Sequence, residues 1–169
     1  YTRQGYVKFK ITDKVRAALA SAESVSLEFF CKTANPTVEE GKAGGVLAIL
    51  SAVDTKWTEE DLTKELAAST AAVIQKIGEM RYASSARYGI DITEYIKEHI
   101  QDDEIAFRIE NVNLDKTREC TFYTKEYGDG ENAPRLVIRR GGGGGHYEID
   151  FGKLNNHGYE PWGYAEKLV

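Results

Sequence analysis

Glu104-Ile105-Ala106-Phe107-Arg108-Ile109-Glu110-Asn111 alternates in character residue by residue. Successive side chains of a strand point to opposite faces. Ile105, Phe107 and Ile109 are therefore expected to face a core, and Ala106, Arg108 and Glu110 to face out. Near the start of the chain, Tyr6-Val7-Lys8-Phe9-Lys10-Ile11 repeats the pattern. Val7, Phe9 and Ile11 share one face; Tyr6, Lys8 and Lys10 share the other. Residues 24–33 place Val25, Leu27, Phe29 and Cys31 on one side and Phe30 opposite. Residues 45–53 are small and apolar, which suits a buried strand. Residues 120–125 and 135–139 read as further strands, with Leu136 and Ile138 inward.

Helical signals are few. Residues 93–100 give about two turns with Ile96 and Ile100 on one face. Thr58 with Asp61 is a weak cap ahead of a short helix through Leu62, Leu66 and Ala67. Residues 12–22 read as a polar, Ala-rich connector with a helical turn. Residues 71–77 suit helix or strand, and 79–88 lean towards strand. Residues 34–45, with Asn35-Pro36, Gly41 and Gly44-Gly45, form a loop, as do residues 127–133. Short strands between turn signals predict an all-β protein, a jelly-roll β-sandwich with a short helix or two in its loops. Five consecutive glycines, Gly141 to Gly145, mark a boundary. Residues 1–140 are the expected sandwich. Residues 141–169 are a Gly-rich linker and tail, too short to fold alone, or the start of a further domain. The chain begins at Tyr1, almost inside a strand, and reads as a piece of a longer protein.

The 169 residues are 41% hydrophobic and 29% charged, with a formal net charge of −5. That composition is globular. The charge argues against whole-molecule attraction to nucleic acid or an anionic membrane, and no apolar run is long enough for a bilayer span. Cys31 and Cys120 have no CxxC partner; a bridge and two buried thiols both stay open. No GxSxG, HExxH or P-loop occurs, and the glycine run lacks GxGxxG spacing, so no catalytic residue is assigned.

Five motifs occur in order: Arg3-x-x-Tyr6-Val7-Lys8-Phe9, Trp57-x-Glu59-x-x-Leu62-Thr63, Asp91-Ile92-Thr93-x-Tyr95-Ile96, Phe122-Tyr123-x-Lys125-Glu126 and Pro134-x-Leu136-Val137. The series resembles carbohydrate-binding module family 96, the DNRLRE-type secreted β-sandwich domains, over residues 3–140. The resemblance implies a jelly-roll fold, secretion, and covalent attachment to a polysaccharide lyase or related catalytic domain. It also implies an acidic polysaccharide such as alginate as partner. Lys10 stands where the family usually carries Asp, and residues 63–83 lack the usual Trp and Pro. The family's usual first strands, upstream of Arg3, are absent here.

Tyr6, Lys8, Lys10, Arg108, Tyr123, Lys125, Arg135 and Arg139 are the candidate ligand-binding residues. Strand geometry turns them outward, though not all onto one sheet. Arg clasps a carboxylate or sulfate with paired hydrogen bonds, and Tyr offers a flat platform. The competing reading is a solvated sheet face. The function expected is non-catalytic binding of an acidic glycan on behalf of an attached enzyme. The alternatives are a fragment of a lyase whose catalytic part begins near His146, or a spacer or adhesin domain without a glycan site. Trp57 either stacks on a sugar or closes one end of the core. Arg3, Glu59, Asp91 and Glu126 read either as polymer contacts or as a charged frame tying loops to strand ends. No cofactor is expected. A structural calcium is left open, because Asp129-Gly130-Glu131-Asn132 and Asp102-Asp103-Glu104 put oxygen ligands on turns, though neither matches a defined calcium loop. The His and Tyr density of the tail, from His146 to Tyr164, suits proton transfer only if a larger domain organises it.

Overall fold

The computed structural model describes residues 4–33, 46–58, 72–82, 86–113, 120–122, 132–141, 146–150 and 165–168. The alternating stretch is strand β6 (Glu104–Asn113), the second strand of a four-stranded antiparallel sheet, sheet A. It pairs with β1 (Gln4–Lys10) on one side and with β3 (Val46–Val53) on the other, and β4 (Val73–Tyr82) completes the order β1-β6-β3-β4. Sheet B is built on β2 (Ala22–Thr33). β5 (Ala86–Asp91) and β8 (Arg135–Arg140) flank it, and β7 (Cys120–Phe122) pairs with its C-terminal end. β9 (His146–Asp150) pairs with β8, and β10 (Ala165–Leu168) pairs with β9. The protein is therefore an all-β sandwich. Connections β1 to β2, β2 to β3, β4 to β5 and β5 to β6 each cross from one sheet to the other, so the chain winds around its core.

The core lies between the sheets. Sheet A contributes Phe9, Leu50, Ala52, Ile105, Phe107 and Ile109; sheet B contributes Val25, Leu27, Phe29, Ile90, Leu136 and Ile138. Phe9 and Phe107 stack with centroids 6.1 Å apart. Cross-strand register explains the sorting: Phe107 faces Val7 on one side and Ala52 on the other, and Leu27 faces both Ile90 and Leu136. Directly opposed residues share a face, so one apolar strand aligns its neighbours.

Two short helices close one end of the sandwich. α1 (Asp13–Ala20) starts at Thr12, whose hydroxyl accepts a hydrogen bond from Val15 N at 3.3 Å. Its Val15, Ala18 and Leu19 recur at helical spacing and are buried. The expected connector with a turn is thus a capped helix, because three small or apolar residues anchor it to the core. α2 (Thr93–Glu98) buries Tyr95 and Ile96. Its start is fixed by Asp91, whose Oδ1 accepts from Thr93 N at 2.8 Å and from Thr93 Oγ1 at 2.6 Å. Thr93 Oγ1 in turn accepts from Val25 N at 2.9 Å, which ties the helix to β2. These two bonds from Thr93 hold the Asp91 carboxyl below its ordinary value.

The open choice at residues 71–77 resolves as strand from Val73 on, in β4. Ala106 departs from the expected pattern. It lies on the outer face of sheet A yet is buried, because Val53 and Trp57 pack against it as a second small core. The expected helix through Leu62 lies outside the described residues, as do Arg3, Glu59, Glu126 and residues 129–131.

Candidate functional site

The outer face of sheet A carries Tyr6, Lys8, Lys10 and Arg108, as alternation requires. Register sets Tyr6 opposite Arg108, Lys8 opposite Ala106 and Lys10 opposite Glu104. Most of this set is engaged within the protein. Lys8 is only 6% exposed. Its ammonium donates to Thr55 O at 3.0 Å and to Trp57 O, lies 3.8 Å from the Glu104 carboxylate, and sits 4.9 Å from the centre of the Trp57 ring. Trp57 is 2% exposed and meets Tyr6 edge-on at 5.7 Å. Lys8 is thus a pin that holds residues 55–57 down on the sheet, and Trp57 lies under protein where no sugar ring can stack on it. Arg108 lies 3.6 Å from Glu110, both side chains about one-fifth to one-quarter exposed. Lys10 lies at the edge of this face, where it opens into a cleft.

The outer face of sheet B carries Arg135 and Arg139. Arg135 is opposite Glu28 and Arg139 is opposite Ser24, with Ser26 between them on β2. Across β2, Phe30 is opposite Arg87 of β5. Arg87 donates to Ala133 O at 3.1 Å, and its guanidinium carbon is 6.0 Å from the Phe30 ring centre. Gly89 lies opposite Glu28. It is exposed, and a Cβ there would meet Glu28 Cγ at 3.3 Å, so glycine keeps the strip flat beside that side chain. Three arginines therefore share one face with Glu28 and with Val137, which is 2% exposed. β9 sets Asp150 opposite Arg135, Glu148 opposite Val137 and His146 opposite Arg139, and Arg139 is solvent-exposed. The candidate set is divided between the two sheets, and Tyr123 and Lys125 lie outside the described residues. Arg87 was not among the sequence candidates. Nothing beside it in Ser84-Ser85-Ala86-Arg87 signals a role; only the pairing with Phe30 does.

A cleft of about 810 Å³ opens at the helix-capped end. One wall is the 99–103 turn after α2, and the other is formed by residues 53–56 with Ile74 of β4. The turn is firmly held. Arg16 of α1 donates to Ile100 O and, at 3.3 Å, to Asp102 O, and Ile11 N donates to Asp103 O at 2.8 Å. His99 stacks on Tyr95 at 4.2 Å and shares a 2.9 Å hydrogen bond with Asp102. Burial, with the Asp102 charge adding to it, pushes the Tyr95 phenol above its ordinary value. Among the described residues, no group of three or more His, Cys, Asp or Glu is placed to hold a metal ion. No helix among them is long and apolar enough to cross a membrane.

An antiparallel sandwich with charged and ring-bearing side chains on its sheet faces and in an end cleft falls in the class of β-sandwich ligand-binding modules. The family comparison gives the particular kind. Residues 1–140 match the model of carbohydrate-binding module family 96, and the chain belongs to that family. No curated protein matches it. Carbohydrate binding is therefore its functional class, and modules of this class are generally non-catalytic and typically extracellular.

Proposed function

We propose that the chain binds an acidic polysaccharide, a uronate or sulfated glycan of the alginate kind, through the outer face of sheet B. The observation that carries this reading is the placement of Arg87, Arg135 and Arg139 on one face with Ser24, Ser26 and flat Gly89, where the exposed Arg139 stands opposite Ser24 and His146 and the acids Glu28 and Asp150 stand opposite Arg135. Arg135 and Arg139 are four residues apart on one strand, about 13 Å at the usual rise. That spacing lets them meet separate, non-adjacent anionic groups of an extended polymer. A guanidinium engages a carboxylate or sulfate with two parallel hydrogen bonds, which gives orientation as well as charge. The arginine held against Phe30 loses little freedom on binding.

The net charge of −5 means that the attraction is local to this strip. Affinity therefore falls steeply with salt. The module acts for a covalently linked, secreted carbohydrate-active enzyme. It raises the enzyme's local concentration on the polymer and lowers no barrier itself. Titration calorimetry with polyguluronate, a sulfated galactan and a neutral β-glucan checks this. Tighter binding of the polyanions than of the neutral glucan, with the polyanions weakened at least tenfold between 50 mM and 500 mM salt, is the expected result. Preference for the neutral glucan, or salt-independent binding, refutes it.

A further inference from the structure

We propose that the end cleft is a second glycan site, distinct from the sheet B face, and that it takes a neutral, hydroxyl-rich sugar unit in place of a uronate. Charge decides the ligand class. Four carboxylates line the cleft, from Asp54, Asp102, Asp103 and Glu104, against two ammonium groups from Lys10 and Lys56, and even with Lys8 offsetting Glu104 from 3.8 Å the acids outnumber the bases. A polyanion entering such a cavity meets net repulsion. Sugar hydroxyls meet the reverse: carboxylates accept from them, and Lys56 and Gln101 donate to them.

The cleft also has the apolar surface that a sugar ring needs. Ile74 is 61% exposed, and it lines the wall opposite the helix turn. The His99 ring is fixed on one side by Tyr95 and at Nδ1 by Asp102. The ring lines the cleft and its side chain is 31% exposed, so part of it meets whatever occupies the cleft. A ring already held by stacking and a hydrogen bond loses almost no freedom on binding, and its π face packs against sugar C–H groups. The wall that carries it is itself clamped by Arg16 and by the Ile11–Asp103 backbone bond. The cavity is therefore preformed, as small-ligand sites generally are.

The test is an amide chemical-shift titration of the full chain. The probes are β-1,4-glucan and β-1,4-mannan hexasaccharides and an oligoguluronate of the same length. Saturable shifts at residues 53–56 and 99–104 with a neutral hexasaccharide, and none there with the oligoguluronate, are expected. His99→Ala should weaken the neutral sugar at least tenfold. Asp103→Asn and Lys56→Ala, at exposed positions that leave the fold intact, should each weaken it about threefold or more. The proposal is overturned if neither neutral hexasaccharide shifts these amides, if the oligoguluronate binds there equally well, or if all three variants bind as the parent does.

Discussion

The two outer faces of the sandwich carry much the same chemistry and put it to different uses. On sheet A, Lys8 and Tyr6 alternate with core residues, and residues 53–57 fold over them. Lys8 is then consumed by two carbonyls, a carboxylate and an indole. On sheet B, Arg135 and Arg139 alternate with Leu136 and Ile138 in the same way; Val137 between them is covered, yet Arg139 stays at the surface. Alternation tells which face a side chain takes. It does not tell what covers that face. A buried ammonium must be fully partnered, so Lys8 works as structure, whereas an exposed guanidinium keeps its donors available for a ligand.

The largest expected effect that can break this contrast is on Trp57. Trp57→Ala removes the centre of the outer core and should cost about 3–5 kcal/mol of stability, as buried Trp truncations do. Polyguluronate affinity, measured below the lowered melting temperature, should be unchanged. Loss of binding with an unchanged melting temperature would mean that the indole contacts ligand after all. Lys8→Met keeps the stem and removes the charge. It leaves the Thr55 and Trp57 carbonyls without their donor, and chemical denaturation should report a loss of about 1–3 kcal/mol. If the variant instead keeps full stability and loses affinity, Lys8 belongs with the ligand set.

The smallest effect concerns pH. The Asp91 carboxyl titrates below its unfolded value because it accepts two bonds from Thr93. A depressed folded value stabilises the native state above about pH 4, and that contribution disappears as the pH falls from there through the lower folded value. Melting curves from pH 7 to pH 2 should show Asp91→Asn less stable than the parent at neutral pH and converging with it in acid. A gap that persists at pH 2 would assign the effect to shape and not to charge.

Much of the sandwich was legible in the sequence. β6, β1 and β2 announce themselves by period two, and their inward residues form the core as expected. α1 was hidden because Ala-rich sequence reads as a connector until Val15 and Leu19 are seen to dock. Ala106 and Lys8 were misleading for one shared reason: the residues that bury them, Val53 and Trp57, lie some fifty positions away. The cleft was not legible at all. Lys10, Lys56, Ile74 and His99 come from four separate stretches, and only the closing of one end by two helices brings them together. Arg87 was missed in the same way, since register and not local pattern puts it beside Phe30.

The most direct test of the central claim compares one residue from each face in the same titration. Polyguluronate affinity should drop about tenfold in Arg139→Ala with the melting temperature unchanged, while Lys8→Met should bind as the parent does despite its lower stability. If Arg139→Ala binds the polymer as tightly as the parent and Lys8→Met does not, the assignment of the two faces is reversed and the account fails.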